Sequence, residues 1–223
     1  MNPFYKLFCL IYPEKCPYCD AFIKSEAIAC DRCLEKLDEV QKPVMRGVGG
    51  FRCVSSFFYG GRIRRMILRI KYHDRVQYIP QVAAIMAEDI RTMYGDDRFD
   101  LITYVPMHKT DQKKRKYNQA ERLAKALSKL LDIPCVKTLD KVKHTKKQQR
   151  LKYAQRKTNL KGAFKVSDKE LIKDKSILIV DDIVTTGITL TTCCKTITRS
   201  KPHLICCATI ANASHHLPDK AII

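Results

Sequence analysis

The sequence SILIVDDIVTTGITL (residues 176–190) holds the pattern that decides the fold. An unbroken apolar run, residues 177–180, precedes two acids, Asp181 and Asp182, and then a Thr-Thr-Gly-x-Thr segment. An apolar run bounded by polar residues is typical of a strand that is buried on both faces, as in a parallel sheet. The segment after the acids favours a tight loop that opens a helix, where backbone N–H groups and hydroxyls can surround a phosphate.

Gly187 has a distinct conformational role in this segment. Only glycine lets the backbone pass close to an anion, with a positive φ angle if the turn needs one. The alternative interpretation is an ordinary strand, an aspartate turn and a threonine-capped helix. Because the apolar run, the acids and the threonines stand in one register, we favour a ligand-binding turn.

The order of these residues resembles the phosphoribosyl pyrophosphate (PRPP) loop of type I phosphoribosyltransferases. The resemblance implies that the acids hold the ribose 2- and 3-hydroxyls and that the loop holds the 5-phosphate. Carboxylates accept hydrogen bonds from sugar hydroxyls, while hydroxyls and amides donate to phosphate, so the chemistry agrees with the spacing. The PRPP-binding residues implied in this segment are Asp181, Asp182, Thr185, Thr186, Gly187, Ile188 and Thr189.

The composition favours an ordered and strongly basic protein. A chain of 223 residues can form one ordinary domain plus a small appendage, and 45% hydrophobic residues can form a real core. The 42 Lys and Arg against 23 Asp and Glu give a net charge of +19. Such a charge favours polyanionic partners such as nucleic acid or anionic lipid, although a generally basic proteome or a solubility effect would also produce it.

Two Cys-x-x-Cys hooks near the N-terminus predict a metal site. Cys16 and Cys19 form the first hook, Cys30 and Cys33 the second, and ten residues separate them. Four thiolates in two such hooks can close a tetrahedral structural zinc site, although the gap is shorter than usual. A thioredoxin-like redox pair is the alternative for a single hook. We therefore expect a zinc-binding module over residues 1–45 and a phosphoribosyltransferase-like domain over residues 46–223.

The other cysteines and the N-terminus indicate a cytoplasmic protein. The eleven cysteines include two adjacent pairs in apolar contexts, at 193–194 and 206–207, which suits reduced core thiols better than a disulfide framework. The start of the chain has only a short apolar piece without a clear cleavage site, and no apolar run approaches the 18 or so residues of a membrane span.

The remaining pattern predicts a parallel α/β sheet flanked by helices. We expect a linker over 38–50, a strand over 51–59, a basic amphipathic helix over 62–71, a strand over 99–105 and a basic loop over 109–116. Two further helices are indicated by apolar stripes, namely Ile79, Val82, Ala83, Met86, Ile90 and Met93, and then Ala120, Leu123, Ala124, Leu127, Leu130 and Leu131. Ligands in such sheets bind at the carboxyl ends of the strands, which places the site after Pro106 and at Asp181.

Residues 137–165 contain eleven Lys or Arg and a single acid, Asp140. A solvated face or a loop is the ordinary explanation for such a run. The regular placement of amides and arginine before a strand-like GAFKV segment argues for a more specific role.

Several motifs together resemble the ComF family of competence-associated phosphoribosyltransferase-like proteins, close to its ComFC branch. They are the cysteine hooks, Lys71-Tyr72-His73, Val105-Pro106, the stretch 115–120, Gln148-x-x-Leu151 to Arg156-x-x-Asn159, and 180–189. One departure is visible, because family members commonly have glycine where this chain has Lys116. The resemblance implies a type I phosphoribosyltransferase-like fold behind an N-terminal zinc module, and a cytosolic role in natural transformation with single-stranded DNA.

A PRPP pocket needs many hydrogen-bond donors and usually Mg²⁺. The zinc expected in the separate N-terminal module would be structural. Lys109 is a candidate for the pyrophosphate, and further candidates for contacts to the pyrophosphate or DNA are Lys71, Arg115, Asn118, Gln119, Arg156 and Asn159. Asp181 and Asp182 are the catalytic candidates, because their charge would stabilise positive charge on the ribose in a transfer reaction. Tyr72, Tyr117 and Tyr153 could stack on unpaired bases or simply pack.

Three functions are compatible with the sequence. We favour a competence protein that binds PRPP and single-stranded DNA, supports DNA uptake and has other competence proteins as further partners. A nucleotide-salvage phosphoribosyltransferase with incidental charge and a non-catalytic adaptor are the alternatives. No residue identifies the acceptor of a transfer, so the sequence leaves open whether the protein is an enzyme.

Overall fold

A computed structural model describes residues 14–24, 27–40, 42–145 and 159–213 of the chain. The helices and strands are α1 Asp31–Val40, β1 Val44–Val48, β2 Phe51–Phe58, α2 Gly61–Tyr72, a 3-10 turn Val76–Tyr78, α3 Ile79–Tyr94, β3 Leu101–Tyr104, α4 Lys109–Arg115, α5 Gln119–Leu131, β4 Leu139–Lys141, β5 Phe164–Val166, β6 Ser176–Val184, α6 Ile188–Thr198 and β7 Leu204–Asn212.

The main sheet has the strand order β1-β2-β7-β6-β3. Only β1 and β2 pair antiparallel, and the three other strand pairs of this sheet are parallel. Strands β4 and β5 form a separate antiparallel pair. The predicted parallel α/β sheet flanked by helices is therefore confirmed, with an antiparallel strand added at one edge.

The buried run before the acids, residues 177–180, contributes side chains to the apolar cores on both faces of the sheet. Leu178 and Val180 belong to the cluster that includes residues of α2, α3 and α5, whereas Ile177 and Ile179 belong to the cluster that includes residues of α6. Successive side chains of a strand point to opposite faces, so a strand covered on both sides must be apolar at every position. This explains why residues 177–180 do not alternate with polar residues.

The apolar stripes of the predicted helices face the core with one exception. Helix α2 buries Ile63, Met66, Ile67 and Ile70, and the stripe of α3 is buried along most of its length. On α5 the buried face extends only to Leu127, and Leu130 is 41% exposed. Among the described residues, every helix is too short or too polar to cross a membrane.

Strand β6 continues past the point where the sequence predicted its end. Asp181 pairs with Thr209 and Ile183 with Ala211, because β7 runs alongside as far as Asn212. On its other side, β3 ends at Tyr104, and the Val105 N–H donates to the Val180 carbonyl at 3.0 Å. The two acids thus lie within β6, just beyond its pairing with β3.

Two segments predicted as irregular are regular. The expected linker over 38–50 contains the end of α1 and the whole of β1, which is held by pairing with β2. The expected loop over 109–116 is the helix α4 as far as Arg115. Its first turn is capped by His108, whose Nδ1 accepts from the Thr110 N–H at 3.3 Å. No residue of α4 is buried, so it has no apolar stripe for a sequence pattern to detect.

The β1–β2 turn packs against the loop that follows β6. Gly187 has φ +72°, as its predicted role requires, and a Cβ there would lie 2.4 Å from Val48 Cγ1. Gly49 has φ +62°, and a Cβ there would lie 2.3 Å from Thr191 Cγ2. Both glycines are therefore needed for this close approach as well as for their left-handed backbone.

We expect Gly187→Ala to lower the free energy of unfolding by about 2 kcal/mol or more. The alanine would have to adopt a left-handed backbone, and its Cβ would also collide with Val48. Urea unfolding measures this. Gly60→Ala is the matched control, because Gly60 is extended with φ −172° and a Cβ there meets nothing within 4 Å. Equal losses in the two variants would contradict the packing described here.

Candidate functional site

A cavity of about 440 Å³ lies at the carboxyl ends of β3 and β6. Its wall combines the acids of β6 and Thr189 with residues from α2, α4 and α5, the loop after β3, and the β4 end. The predicted site residues in its lining are Lys71, Arg115, Asn118, Gln119, Asp181, Asp182 and Thr189. The sequence pattern did not single out three further charged residues of the wall, Asp111, Lys114 and Lys141.

Lys71 and Asp182 form an ion pair inside this cavity. The Lys71 Nζ lies 2.8 Å from Asp182 Oδ2, and the two side chains are 13% and 14% exposed. Burial acts to lower the pKa of Lys71, but the charge and hydrogen bond of Asp182 outweigh it, so the pKa is raised. Lys71 thus stays charged and partly neutralises the acid pair.

Asp181 is the more perturbed acid. Its Oδ1 accepts from the Asp182 N–H at 2.8 Å. Burial, reinforced by the charge of Asp182, raises the pKa of Asp181 to about 7, against the smaller opposing effects of that N–H, Lys71 and Lys141. The acid pair therefore changes its charge near neutral pH.

Lys141 is a second cation of the cavity wall. Burial lowers its pKa, and the charges of Asp111 and Asp181 partly offset that effect. It was hidden from sequence reasoning inside the basic run over 137–165, where nothing distinguishes it from its neighbours. The fold brings it to the cavity because β4 ends there.

The loop between β6 and α6 presents hydroxyls and backbone N–H groups. Thr185 and Thr186 are exposed, and Gly187 is the N-cap of α6. The first N–H groups of a helix have no partner within it, so this end favours an anion. The Ile188 side chain is 7% exposed and packs in the core, so only its backbone is available to a ligand.

Asn118 and Tyr117 fix the start of α5 beside the cavity. Asn118 caps α5 by accepting from the Ala120 N–H at 3.1 Å, and its Nδ2 donates to the Val105 carbonyl at 3.0 Å. The Tyr117 hydroxyl donates to the carbonyl of Ile70, and its ring is 7% exposed. Of the two roles considered for Tyr117, stacking on bases and packing, the structure shows packing.

Within the described part of the chain, the side-chain Nε2 of Gln119 has no hydrogen-bond partner. The residue is 3% exposed and lines the cavity, and its buried Nε2 finds no hydrogen-bond partner among the described residues. A buried amide without a partner costs free energy, which a ligand oxygen would recover.

Lys109 and the two candidates of the basic run lie elsewhere. Lys109 is exposed at the start of α4 and is not among the residues that line the cavity. Arg156, like Tyr153, lies outside the described residues. Asn159 is described and half-buried, and it too is absent from the lining.

Lys116 keeps the backbone that glycine would adopt. It follows the last residue of α4 with φ +67° and ψ −24°, in the left-handed region. This conformation costs a non-glycine residue about 1–2 kcal/mol. Lys116 therefore takes, at this cost, a backbone conformation that glycine adopts readily.

Tyr72 and Arg115 form a stacked pair at the cavity mouth. The Arg115 Nη2 donates to the Tyr72 hydroxyl at 3.2 Å, and the guanidinium carbon lies 5.0 Å from the ring centroid. Tyr72 is 50% exposed. This ring is thus available for contact with a partner, unlike that of Tyr117.

The four predicted metal ligands come together near the N-terminus. The Sγ atoms of Cys16, Cys19, Cys30 and Cys33 all lie within 4.8 Å of one another. The first hook is closed by a turn in which the Asp20 N–H donates to the Cys16 carbonyl at 2.8 Å, and the second stands at the start of α1. Such a cluster of four thiols could hold zinc.

Contacts with the rest of the chain fix the cysteine cluster in place. Tyr18 is buried edge-on against Phe57, with ring centroids 6.3 Å apart, and the Tyr78 hydroxyl donates to Asp20. The Arg62 Nη1 lies 3.7 Å from the Cys33 Sγ. The cluster is therefore attached to the first turn of α2, the helix whose other end carries Lys71.

Comparison with known proteins identifies the family. The phosphoribosyl transferase domain family matches residues 118–222. Competence protein F of Haemophilus influenzae is 30% identical over 180 residues, which cover 78% of this chain and 74% of that protein. The chain belongs to the ComF family. This ComF-family chain is also similar to the DNA utilization protein YhgH of Salmonella typhimurium. The two are 28% identical over 180 residues, which cover 78% of this chain and 74% of that protein.

Solved phosphoribosyltransferases resemble the ComF-family chain at low identity. Adenine phosphoribosyltransferase from Thermoanaerobacter pseudethanolicus is 13% identical with a TM-score of 0.41, covering 80% of this chain and 99% of that one. Purine phosphoribosyltransferase from Pyrococcus horikoshii is 19% identical with a TM-score of 0.37, covering 64% and 79%.

We expect Cys30→Ser to abolish zinc binding and to lower the melting temperature by about 5 °C or more, because a structural zinc site contributes directly to folding. Metal analysis of the purified protein and thermal unfolding measure the two effects. Cys135→Ser is the control, since Cys135 is also only partly buried but lies outside the cluster. Equal zinc contents in the two variants would refute a zinc site at these hooks.

The raised pKa of Asp181 predicts a pH-dependent stability. Between pH 4 and pH 7 the unfolded chain loses this proton while the folded chain keeps it, so the free energy of unfolding falls as the pH rises. Asp181→Asn cannot lose this proton. Its free energy of unfolding should therefore rise relative to that of wild type by about 1–3 kcal/mol between pH 4 and pH 7, with no further relative rise at higher pH.

Urea unfolding of both proteins from pH 4 to pH 8 measures the difference. Asp132 is an exposed carboxylate at the far end of α5, so Asp132→Asn controls for the loss of a charge. If the wild-type and Asp181→Asn curves run parallel, the acid pair is not coupled as described.

Proposed function

We propose that this ComF-family protein binds PRPP with Mg²⁺ at the acidic end of β6, binds single-stranded DNA, and supports DNA uptake in natural transformation from the cytoplasm. The observation that carries the proposal is the cavity in which two acids, Thr189 of the hydroxyl-rich loop and several cations meet, while Thr185 and Thr186 are exposed beside it. PRPP needs these three kinds of group for its diol, its 5-phosphate and its pyrophosphate.

In this proposal the acid pair and the loop after β6 orient the ligand. Asp181 and Asp182 accept hydrogen bonds from the ribose hydroxyls, and the loop from Thr185 to Thr189 donates to the 5-phosphate. The pyrophosphate then extends toward the cations of the wall, Lys71, Lys141 and Arg115. Lys71 already neutralises Asp182 at 2.8 Å, so the diol does not meet two uncompensated charges. The Gln119 Nε2, which has no partner among the described residues, supplies one further donor.

Mg²⁺ fits the oxygen donors of this cavity. Asp181, Asp182 and Asp111 offer carboxylate oxygens, and Mg²⁺ is commonly held by one or two carboxylates together with ligand phosphates. When bound there, the ion would neutralise charge on the pyrophosphate and stabilise it as a leaving group. If a transfer occurs, the two carboxylates stabilise the positive charge that builds on the ribose.

Residues 1–45 serve in this proposal as a zinc-binding module and residues 46–223 as the phosphoribosyltransferase-like domain. Zinc bound by four thiolates has no open position, so its role is structural. The support for DNA is the net charge of +19 and the exposed Tyr72 among basic residues. The words competence and DNA utilization in the names of relatives agree with a role in DNA uptake.

We expect calorimetric titration with PRPP and Mg²⁺ to give saturable heat with the wild type. The double variant Asp181→Asn/Asp182→Asn should lose at least about tenfold in affinity, because it loses both charged acceptors of the diol. Asp132→Asn, which lies about 20 Å along α5 from the cavity, is the matched control and should bind like wild type. Equal binding by all three proteins would exclude the acid pair as the ligand site.

Binding of a labelled oligothymidine, followed by fluorescence anisotropy, tests the DNA half of the proposal. The logarithm of the affinity should fall with the logarithm of salt concentration by about 0.7 for each phosphate contacted. Absent or salt-independent binding would remove DNA as a partner.

A further inference from the structure

Tyr72 is the aromatic residue among those that line the cavity, and its 50% exposure puts it at the solvent edge of that cavity. The Arg115 guanidinium lies over its ring at 5.0 Å, yet half of the residue's surface is exposed. A ring held by a guanidinium is more ordered than a free side chain, so it loses less entropy when a partner binds. Its exposed surface offers a stacking platform for a flat, unpaired base.

Basic side chains surround this platform on the two helices that meet there. Lys113 and Lys114 of α4 are exposed, and Lys114 also lines the cavity. On α2, Arg65 precedes Tyr72 by seven residues, which places both on one helix face about 10 Å apart. Arg65 is exposed. A polyanion lying on this surface would meet cations on both helices.

Together these features would favour single-stranded over double-stranded DNA. Phosphate contacts alone would suit either form. In a duplex, however, the base faces are covered by their neighbours, so Tyr72 would have nothing to stack on. Unpaired bases offer their faces to aromatic side chains, which is the usual way proteins bind single strands.

We propose that single-stranded DNA crosses the mouth of the cavity, with one base stacked on Tyr72 and its phosphates on the basic residues of α4 and α2. This inference rests on the proposed function, because it takes DNA and PRPP as partners. DNA and PRPP then share one opening, since Tyr72, Lys114 and Arg115 line the same cavity as Asp181 and Asp182. The phosphates of both ligands require the same cations, so they compete.

The first test measures binding of a labelled 20-nucleotide oligothymidine by anisotropy at several salt concentrations. Tyr72→Ala should weaken binding about tenfold without changing the salt slope, because it removes stacking and no charge. Tyr72→Phe keeps the ring and should bind like wild type. Arg115→Ala should weaken binding and reduce the slope by about 0.7 or more, since it removes a phosphate contact.

Lys129→Ala is the matched charge control. Lys129 is exposed on α5, about 15 Å along the helix from Gln119, and its loss should leave the slope unchanged. Melting temperatures of all variants verify folding. If wild type binds the oligonucleotide and both Tyr72→Ala and Arg115→Ala bind like Lys129→Ala, the proposed path is wrong while DNA binding stands. If wild type does not bind at all, the proposed function fails with it.

The second test adds PRPP and Mg²⁺ to the protein–oligonucleotide complex. Saturating ligand should raise the apparent dissociation constant of the oligonucleotide several-fold for wild type, and should have no effect on the Asp181→Asn/Asp182→Asn variant. An unchanged or tighter oligonucleotide affinity in the wild type would overturn the shared opening. If PRPP does not bind the wild type, the proposed ligand site is wrong, and the variant series alone decides the DNA path.

Discussion

The ion pair between Lys71 and Asp182 is the contact on which the site depends. Strand β6 extends past its pairing with β3, so two neighbouring carboxylates are held half-buried at the edge of a cavity. Two such charges repel each other, and burial makes the repulsion costly. Lys71 supplies the compensating charge at 2.8 Å. It does so from the last turn of α2, so the position of that helix sets the electrostatics of the cavity.

Helix α2 also connects the cysteine cluster with the cavity. Arg62 in its first turn contacts the Cys33 thiol, and Lys71 in its last turn contacts Asp182. Between them the buried stripe of the helix anchors it to the sheet. The carbonyl of Ile70 accepts from Tyr117, which joins the same helix to the segment between α4 and α5. The cysteine cluster is therefore joined to the framework that supports the cavity.

Local patterns predicted the parts of this structure that have strong local causes. The buried run of β6, the stripes of α2 and α3 and the paired cysteine hooks each follow from periodicity or spacing. The strand β1 and the helix α4 were missed because β1 is held by pairing with β2, and α4 has no buried face. The acids came from the motif, but Lys141 and the Lys71–Asp182 contact depend on distant segments meeting. No local pattern encodes such a meeting, nor the length that β7 gives to β6.

The strand order has a consequence for how the chain is made. β3 pairs with β6, and β2 has β7 as its parallel neighbour, yet β6 and β7 come from the last fifty residues of the described part of the chain. During synthesis the first half therefore leaves the ribosome before β2 and β3 can pair with β7 and β6. Contacts of such long sequence separation form late, and exposed edges invite association with other chains. The β1–β2 hairpin, the cysteine hooks and the helices of the first half can form locally while the centre of the sheet is still being translated.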